Sequence, residues 1–456
     1  MLNRFLLLAC VVIVAFGIFA VPFPDGAVAL MLVVILSAVA LVLFRRHTEE
    51  KDFVTMVFLV ALALRLGLGL MIEVFDLRQF FGPDAVSYDR IGTALVDVWL
   101  GHAEQSYRMA WLNDDPASGA GWGMNYITGF IYLLFGRNIF AAQSFCAVVG
   151  AATAPMVFFC AQKVFNNLRV AKISAMFIAL FPSFIIWSGQ LLKDGLIIFL
   201  LVLAMTMVLQ LQKQFSYAAL AALIFSLFGV LSLRFYIFYM LAVAVVGSFL
   251  VGLSTSNKSL FTRAAILIVM AMALLYLGVG DRARVELNTF GNLERVQGSR
   301  SDLARSAGSG FNTEVDVSTA GGALSAVPIG FAYLMLSPFP WQASNLRQAI
   351  TIPEVLFWWG MIPFLIMGLW YAGKHRLRSA FPILIFSLLL TLAYSIFQGN
   401  VGTAYRQRTQ IQVFLFIFVA VGWELYQERR ENRRILQADA QRRVAHSIRR
   451  GAIAAK

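Results

Sequence analysis

Acidic side chains are scarce in this chain: 24 Asp and Glu against 37 Lys and Arg in 456 residues, with charged residues only 13% of the total. A soluble chain carries about 25% charged residues. At half that share the chain cannot cover a water-exposed surface, which excludes a soluble enzyme, a secreted disulfide scaffold and a disordered protein together. Cysteine is nearly missing. Cys10, Cys146 and Cys160 lie in apolar runs without CxxC spacing, and their odd number argues against a disulfide framework. The four histidines (His47, His102, His375, His446) are scattered, so no histidine metal cluster is readable. No GxxxxGK[ST] stretch occurs, which excludes a built-in P-loop ATPase. The ten-residue alternating segments of an outer-membrane barrel are missing too. Any chemistry must come from carboxylates, cations and an energy source carried by a lipid or an ion gradient.

What the chain has is apolar length. It is 60% hydrophobic with a mean hydropathy of +0.76, and a membrane span needs ~20 apolar residues. The expected fold is an all-α polytopic membrane protein with about 12 transmembrane helices and two large extracytoplasmic loops bearing interfacial helices. Spans are expected at 5–21, 27–44, 53–72, 139–162, 173–190, 194–212, 216–233, 235–253, 264–280, 354–372, 380–397 and 411–427. The first, after Met1-Leu-Asn-Arg, reads as one arm of a retained hairpin rather than a cleaved signal. Segments 124–135 and 326–337 are too short to cross and read as interfacial or re-entrant.

Charge sets the orientation. Twelve spans with both ends cytoplasmic put Arg45, Arg46, Lys51, Lys163, Arg169, Lys172, Lys213, Lys258, Arg263 and the 374–378 cluster inside, as the positive-inside bias requires. If both short segments crossed, six cations between them would move outside. The net charge of +13 is placed at such turns and in a tail with nine Lys/Arg against three acids, a pattern that suits anionic headgroups and argues against nucleic acid. The chain divides into N-terminal helices (1–72), a first outer loop (73–138), a central bundle (139–280), a second outer loop (281–353), C-terminal helices (354–427) and a basic cytoplasmic tail (428–456). Glycine-rich stretches in the second loop, Ser306-Ala-Gly-Ser-Gly-Phe and Thr319-Ala-Gly-Gly-Ala, suit a mobile lid.

Ionisable residues at a membrane are costly and point to function. In Gly82-Pro-Asp-Ala-Val-Ser-Tyr-Asp89, Asp84 follows a helix-ending Gly-Pro, with Tyr88 one helical turn on. Asp84 is either an N-cap or a general base for a hydroxyl. Asp89 and Tyr88 are candidate substrate-binding residues beside it. Cations fall on the same face: Lys193 where two spans meet, Arg234 inside an apolar run, and Tyr405-Arg406-Gln-Arg408 among glycines. Each cation alone could snorkel to headgroups, but as a set they oppose the positive-inside bias and suit a buried phosphate. Asp114-Asp115-Pro116 offers oxygen ligands for a divalent cation, with a solvated turn as the plainer reading. No other cofactor is implied. Arg65, in the middle of a span, reads as structural.

These motifs resemble the GT-C superfamily of membrane glycosyltransferases, and most nearly the bacterial relatives of protein O-mannosyltransferases and aminoarabinose transferases. The resemblance rests on the acidic first outer loop, on Leu134-Phe-Gly-Arg-Asn138 before a span, and on Leu180-Phe-Pro-Ser-Phe-Ile-Ile-Trp-Ser188 followed by Lys193-Asp194. It covers roughly residues 53–240. It implies transfer of a sugar from a polyprenyl-phosphate donor to a glycan, lipid or protein acceptor on the outer face of the cytoplasmic membrane, with Asp84 as base. The family commonly has two adjacent acids in this loop, whereas here Ala85 follows Asp84. That departure leaves metal dependence open.

Two other functions compete with the transferase. A polymerase or ligase of polyprenyl-pyrophosphate-linked oligosaccharides would use the same outer arginines. A transporter or flippase of lipid-linked sugar would place its charges at the midplane, where only Arg65 lies. The orientation is testable by itself. Cysteines introduced at Ser118 and Ser309 should react with an impermeant thiol reagent in intact cells and one at Ser447 should not; labelling at Ser447 alone reverses the topology.

Overall fold

The computed structural model describes residues 2–21, 23–102, 121–251, 257–281, 283–284, 292–306, 309–311, 315–343 and 345–454. Apart from one isolated bridge, Gly310 with Asn400, and a 3-10 turn at Pro340–Gln342, every regular element among them is an α-helix. The helices run α1 (Leu2–Ala20), α2 (Asp25–Arg46), α3 (Lys51–Val74), α4 (Arg78–Phe81), α5 (Asp84–Trp99), α6 (Trp122–Phe135), α7 (Ile139–Phe165), α8 (Leu168–Leu180) and α9 (Pro182–Ser188). They continue as α10 (Lys193–Lys213), α11 (Tyr217–Leu233), α12 (Phe235–Val251), α13 (Asn257–Tyr276), α14 (Leu293–Ser306), α15 (Ala320–Leu336), α16 (Leu346–His375), α17 (Leu377–Phe397) and α18 (Val401–Ala454).

This is an all-α membrane protein. Among the described residues seven helices are long and apolar enough to cross a bilayer: α2, α3, α7, α10, α16, α17 and the Val401–Asp439 part of α18. An eighth crossing results if the bent pair α8–α9 counts as one. Shorter apolar helices lie within α1, α11, α12, α13 and α15, the first four at the positions of the remaining expected spans. Large apolar side chains face outward, among them Phe19, Phe225, Leu275 and Ile366. In water such a surface would aggregate; in lipid it is solvated.

The centre is built on small residues. Helix α7 buries Ala141, Ala142, Ala147, Gly150, Ala151 and Ala154, so α3, α8 and α10 can approach its backbone closely. A second close approach joins α16 to α18. A Cβ on Gly368 would collide with the Phe418 carbonyl, and one on Gly422 with the Phe364 carbonyl.

The expected span 173–190 is broken, and its sequence explains why. Pro182 has no N–H to give to the Ile178 carbonyl four residues back, so the helix stops at Leu180 and restarts at a 57° bend. Arg65 supplies the missing donor. Its Nη2 reaches the carbonyls of Ile178 and Phe184 (both 3.3 Å), its Nε the Ser188 hydroxyl (2.7 Å), and its Nη1 the Ala61 carbonyl (3.0 Å). Three of the four hydrogen bonds of the mid-span arginine thus go to one helix break, and the fourth returns to its own helix.

Three expectations about the outer loops are corrected. Thr319-Ala-Gly-Gly-Ala, expected to suit a mobile lid, forms the start of α15, where the Thr319 hydroxyl accepts from the Gly322 N–H (3.1 Å). Helix α15 therefore starts upstream of the short segment 326–337 and has 17 residues. The turn expected at 398–410 is only three residues long, because Asn400 caps the Thr403 N–H (3.1 Å) and α18 begins at Val401. Ser309–Phe311 from the second loop is hydrogen-bonded to Gly399–Val401, laying that loop over the start of α18. Ala307 and Gly308 of the first glycine-rich stretch lie outside the described residues.

Replacing Arg65 by Met should leave the buried Ile178 carbonyl without its donor, at ~1–3 kcal/mol, while the Phe184 carbonyl keeps the Ser188 hydroxyl. We expect a clearly lower midpoint of thermal unfolding in detergent. An unchanged midpoint would show that the break does not depend on the guanidinium.

Candidate functional site

Four elements meet at one end of the bundle. Helix α5 brings Asp84 and Tyr88, the start of α10 brings Lys193 and Asp194, the α11–α12 junction brings Arg234, and the second turn of α18 brings Arg406. Asp194 lies at the centre and is completely buried. Its Oδ2 accepts from Arg406 Nε (2.8 Å) and Nη2 (2.5 Å), and its Oδ1 faces Arg234 Nη2 at 3.6 Å. Arg406 Nη1 donates to Asp84 Oδ2 (2.7 Å), and the Arg406 guanidinium lies over the Trp187 ring (5.5 Å). All three guanidinium nitrogens of Arg406 are therefore engaged. Arg234 is different. It is nine-tenths buried, and its Nη1 makes no hydrogen bond.

The expected cap role of Asp84 is not what the structure has. Pro83 occupies the cap position without a side-chain bond, and Asp84 is the first helical residue with its carboxylate turned to Arg406. Its side chain remains 46% exposed. Tyr88 is buried close to the same charges. Burial, and then the negative charge of Asp84, push its hydroxyl above the usual tyrosine range, so it stays a neutral hydrogen-bonding group.

Lys193 packs its ammonium against Gly121, which has a left-handed backbone (φ +84°). A Cβ there would collide with Lys193 Nζ, so this position needs glycine for both reasons. With Lys193 counted, three cations face two carboxylates, and the cluster keeps one positive charge.

Two expected site residues go elsewhere. Asp89 is held by Arg137 Nη2 (2.6 Å) and Nε (3.1 Å) and by the Tyr132 hydroxyl (2.8 Å), forming a separate pair that fastens α5 to α6. Five residues turn it ~140° from Asp84 along the helix. Arg408 is two residues from Arg406, so it points ~200° away. It donates to the Met335 (3.1 Å) and Ser337 (2.7 Å) carbonyls at the C-terminal end of α15 and lies over the Tyr405 ring (5.1 Å). Tyr405 donates its hydroxyl to Glu354 Oε2 (2.8 Å).

A cavity of about 310 Å³ opens beside the cluster. Arg234, Arg406, Trp187 and Tyr405 line its base, and Phe80, Phe81 and Pro83 its first-loop side. Arg347, Thr351 and Asn400 contribute from the second loop and the start of α18. An apolar groove of about 570 Å³, lined by Met176, Phe177, Leu180, Phe181, Glu354 and Phe357, lies between α8 and α16. The Tyr405–Glu354 hydrogen bond joins the two spaces, since Tyr405 lines the cavity and Glu354 the groove.

Sequence reasoning missed Asp194, although it stands beside Lys193 at the mouth of a span; an acid next to a nominated cation at a helix start was the available signal. Trp187, Arg347 and Glu354 were also missed, and no spacing in the chain links them. Among the described residues no cluster of three or more His, Cys, Asp or Glu could hold a metal ion. The candidate cation ligands Asp114 and Asp115 lie outside the described residues. No protein-family model matches the chain, and no curated protein sequence matches it.

Burial separates the carboxylates energetically. Breaking a buried ion pair costs ~3–5 kcal/mol, whereas an exposed pair contributes ~0–1 kcal/mol. Asp194→Ala should therefore destabilise strongly, Asp84→Asn by under about 1 kcal/mol, and Asp89→Asn by an intermediate amount. Unfolding in detergent orders the three. An Asp194→Ala variant as stable as Asp84→Asn would contradict the paired geometry.

Proposed function

We propose that the protein is a membrane glycosyltransferase that moves a sugar from a polyprenyl-phosphate donor to a glycan, lipid or protein hydroxyl at the outer face of the cytoplasmic membrane. The observation that carries this reading is Arg234, a buried cation whose Nη1 has no hydrogen-bond partner and which lines a cavity next to the half-exposed Asp84. The single positive charge left on the cluster matches the single negative charge of a glycosyl phosphodiester.

In this reading the chain crosses the membrane twelve times with both ends inside. The shorter apolar helices in α1, α11, α12 and α13 make up the count beside the eight. The polyprenyl chain lies along the groove between α8 and α16, and the phosphate enters the cavity past Tyr405. Arg234 is the phosphate ligand. Arg406 holds Asp84 and Asp194 in place rather than binding the phosphate itself, because its nitrogens are already engaged.

The reaction needs no nucleotide. The acceptor hydroxyl oxygen attacks the anomeric carbon as its proton passes to Asp84, and the carbon–oxygen bond to phosphate breaks. The departing phosphate gains negative charge, which Arg234 stabilises where little water screens it. One base and no second carboxylate nucleophile imply a single displacement with inversion. A transporter reading is weakened, because Arg65, its midplane charge, is bound to main-chain carbonyls.

The test incubates purified protein with polyprenyl-phosphate sugars and measures acceptor-dependent release of the lipid phosphate. At matched amounts of folded protein, Asp84→Asn should lower turnover by ~10²–10⁴, the usual share of a general base. Arg234→Gln should weaken donor binding about ten- to a hundredfold, from ~1.5–3 kcal/mol for a charge-assisted bond. A fully active Asp84→Asn protein removes the base and moves the transporter reading ahead.

A further inference from the structure

Arg347 is the one lining residue whose charge the phosphate reading leaves unused. It stands at the exposed start of α16 and lines the same cavity as Arg234 and Arg406. Among the described residues the groups that hold it are neutral. Its Nη2 donates to the Gln79 carbonyl (3.0 Å), and its guanidinium lies over the Phe80 ring (5.0 Å). Those two contacts come from α4 and hold the guanidinium in place between the two outer loops, so the cation is oriented without being neutralised.

The charges can be counted. Lys193, Arg234 and Arg406 against Asp84 and Asp194 leave one positive charge, enough for one phosphodiester. Arg347 adds a second positive charge on the cavity wall, and no carboxylate lines the cavity among the described residues. We propose that Arg347 recognises a second anionic group on the donor, beyond the phosphate held at Arg234. Two sources share that chemistry: the second phosphate of a diphosphate-linked donor, or the carboxylate of an acidic sugar. A cationic amino sugar is disfavoured by the same field. This inference rests on the transferase reading and names the charge class of its donor.

The test measures binding of three ligands to the full chain in lipid nanodiscs: a polyprenyl-monophosphate neutral hexose, the corresponding diphosphate, and a polyprenyl-monophosphate hexuronic acid. One of the two doubly charged ligands should bind about tenfold more tightly than the neutral hexose monophosphate, and which one does identifies the source. In Arg347→Gln that ratio should fall to about one, while Arg347→Lys should keep part of it. Salt should reduce the ratio in the parent, since an exposed cation is screened. If the neutral monophosphate binds and neither doubly charged ligand binds better, this inference fails and the transferase reading stands. A ratio unchanged in Arg347→Gln also overturns it. If none of the three binds, the donor reading fails with it.

Discussion

A carboxylate with no exposure to solvent governs one end of this helix bundle. Asp194 cannot be buried as an anion without compensation, since the desolvation of a lone charge would cost more than the fold could bear. It is compensated by two arginines from distant parts of the chain, Arg406 bonded to it and Arg234 close by. That requirement fixes the start of α10 against the start of α18 and against the α11–α12 junction. Through Arg406 it also fixes α5, because the same guanidinium reaches Asp84. Four elements are thus joined by one ionic network, and the cavity is the space it leaves beside it.

The network depends on the helix break at Pro182. If α8 and α9 formed one straight helix, the Ser188–Lys193 segment would not turn back at this depth, and Asp194 would not begin a new helix facing Arg406. Proline stops the helix and Arg65 supplies the donor that proline lacks. The Ser188 hydroxyl, which accepts from Arg65, packs where a Cβ on Gly150 or Gly195 would collide with its side chain. A charge in the middle of a span thereby serves the geometry at the outer surface, by hydrogen bonds to carbonyls and not by pairing with an acid.

The division of labour among the arginines follows from helical rotation. Arg406 and Arg408 are close in sequence and opposite in direction. The first joins the carboxylates; the second satisfies carbonyls at the end of α15 and supports Tyr405. Of the nominated cations, Arg234 and Arg408 keep nitrogens without a hydrogen-bond partner, and of these two it is Arg234 that lines the cavity. A phosphate ligand must have such spare capacity, and this distinguishes it from cations that only hold the site together.

The class of fold was legible in composition, because a chain with so few charges can satisfy its surface only in lipid and its backbone only in helices. Apolar length located seven of the expected spans as helices long enough to cross, and Pro182 and Asn400 mark breaks whose chemistry is local. The acid of the first loop and the outer cations were also readable, since charge in apolar surroundings stands out. Tertiary structure alone decided which of them meet. Asp84 lies 322 residues from Arg406, and Asp194 lies 212 from it; no local pattern encodes such pairings. Nor does any periodicity tell that Asp89 is taken by Arg137, or that Arg408 turns toward α15. Side-chain type is written along the chain, but direction and partner are set by how helices pack, and the site is made of directions and partners.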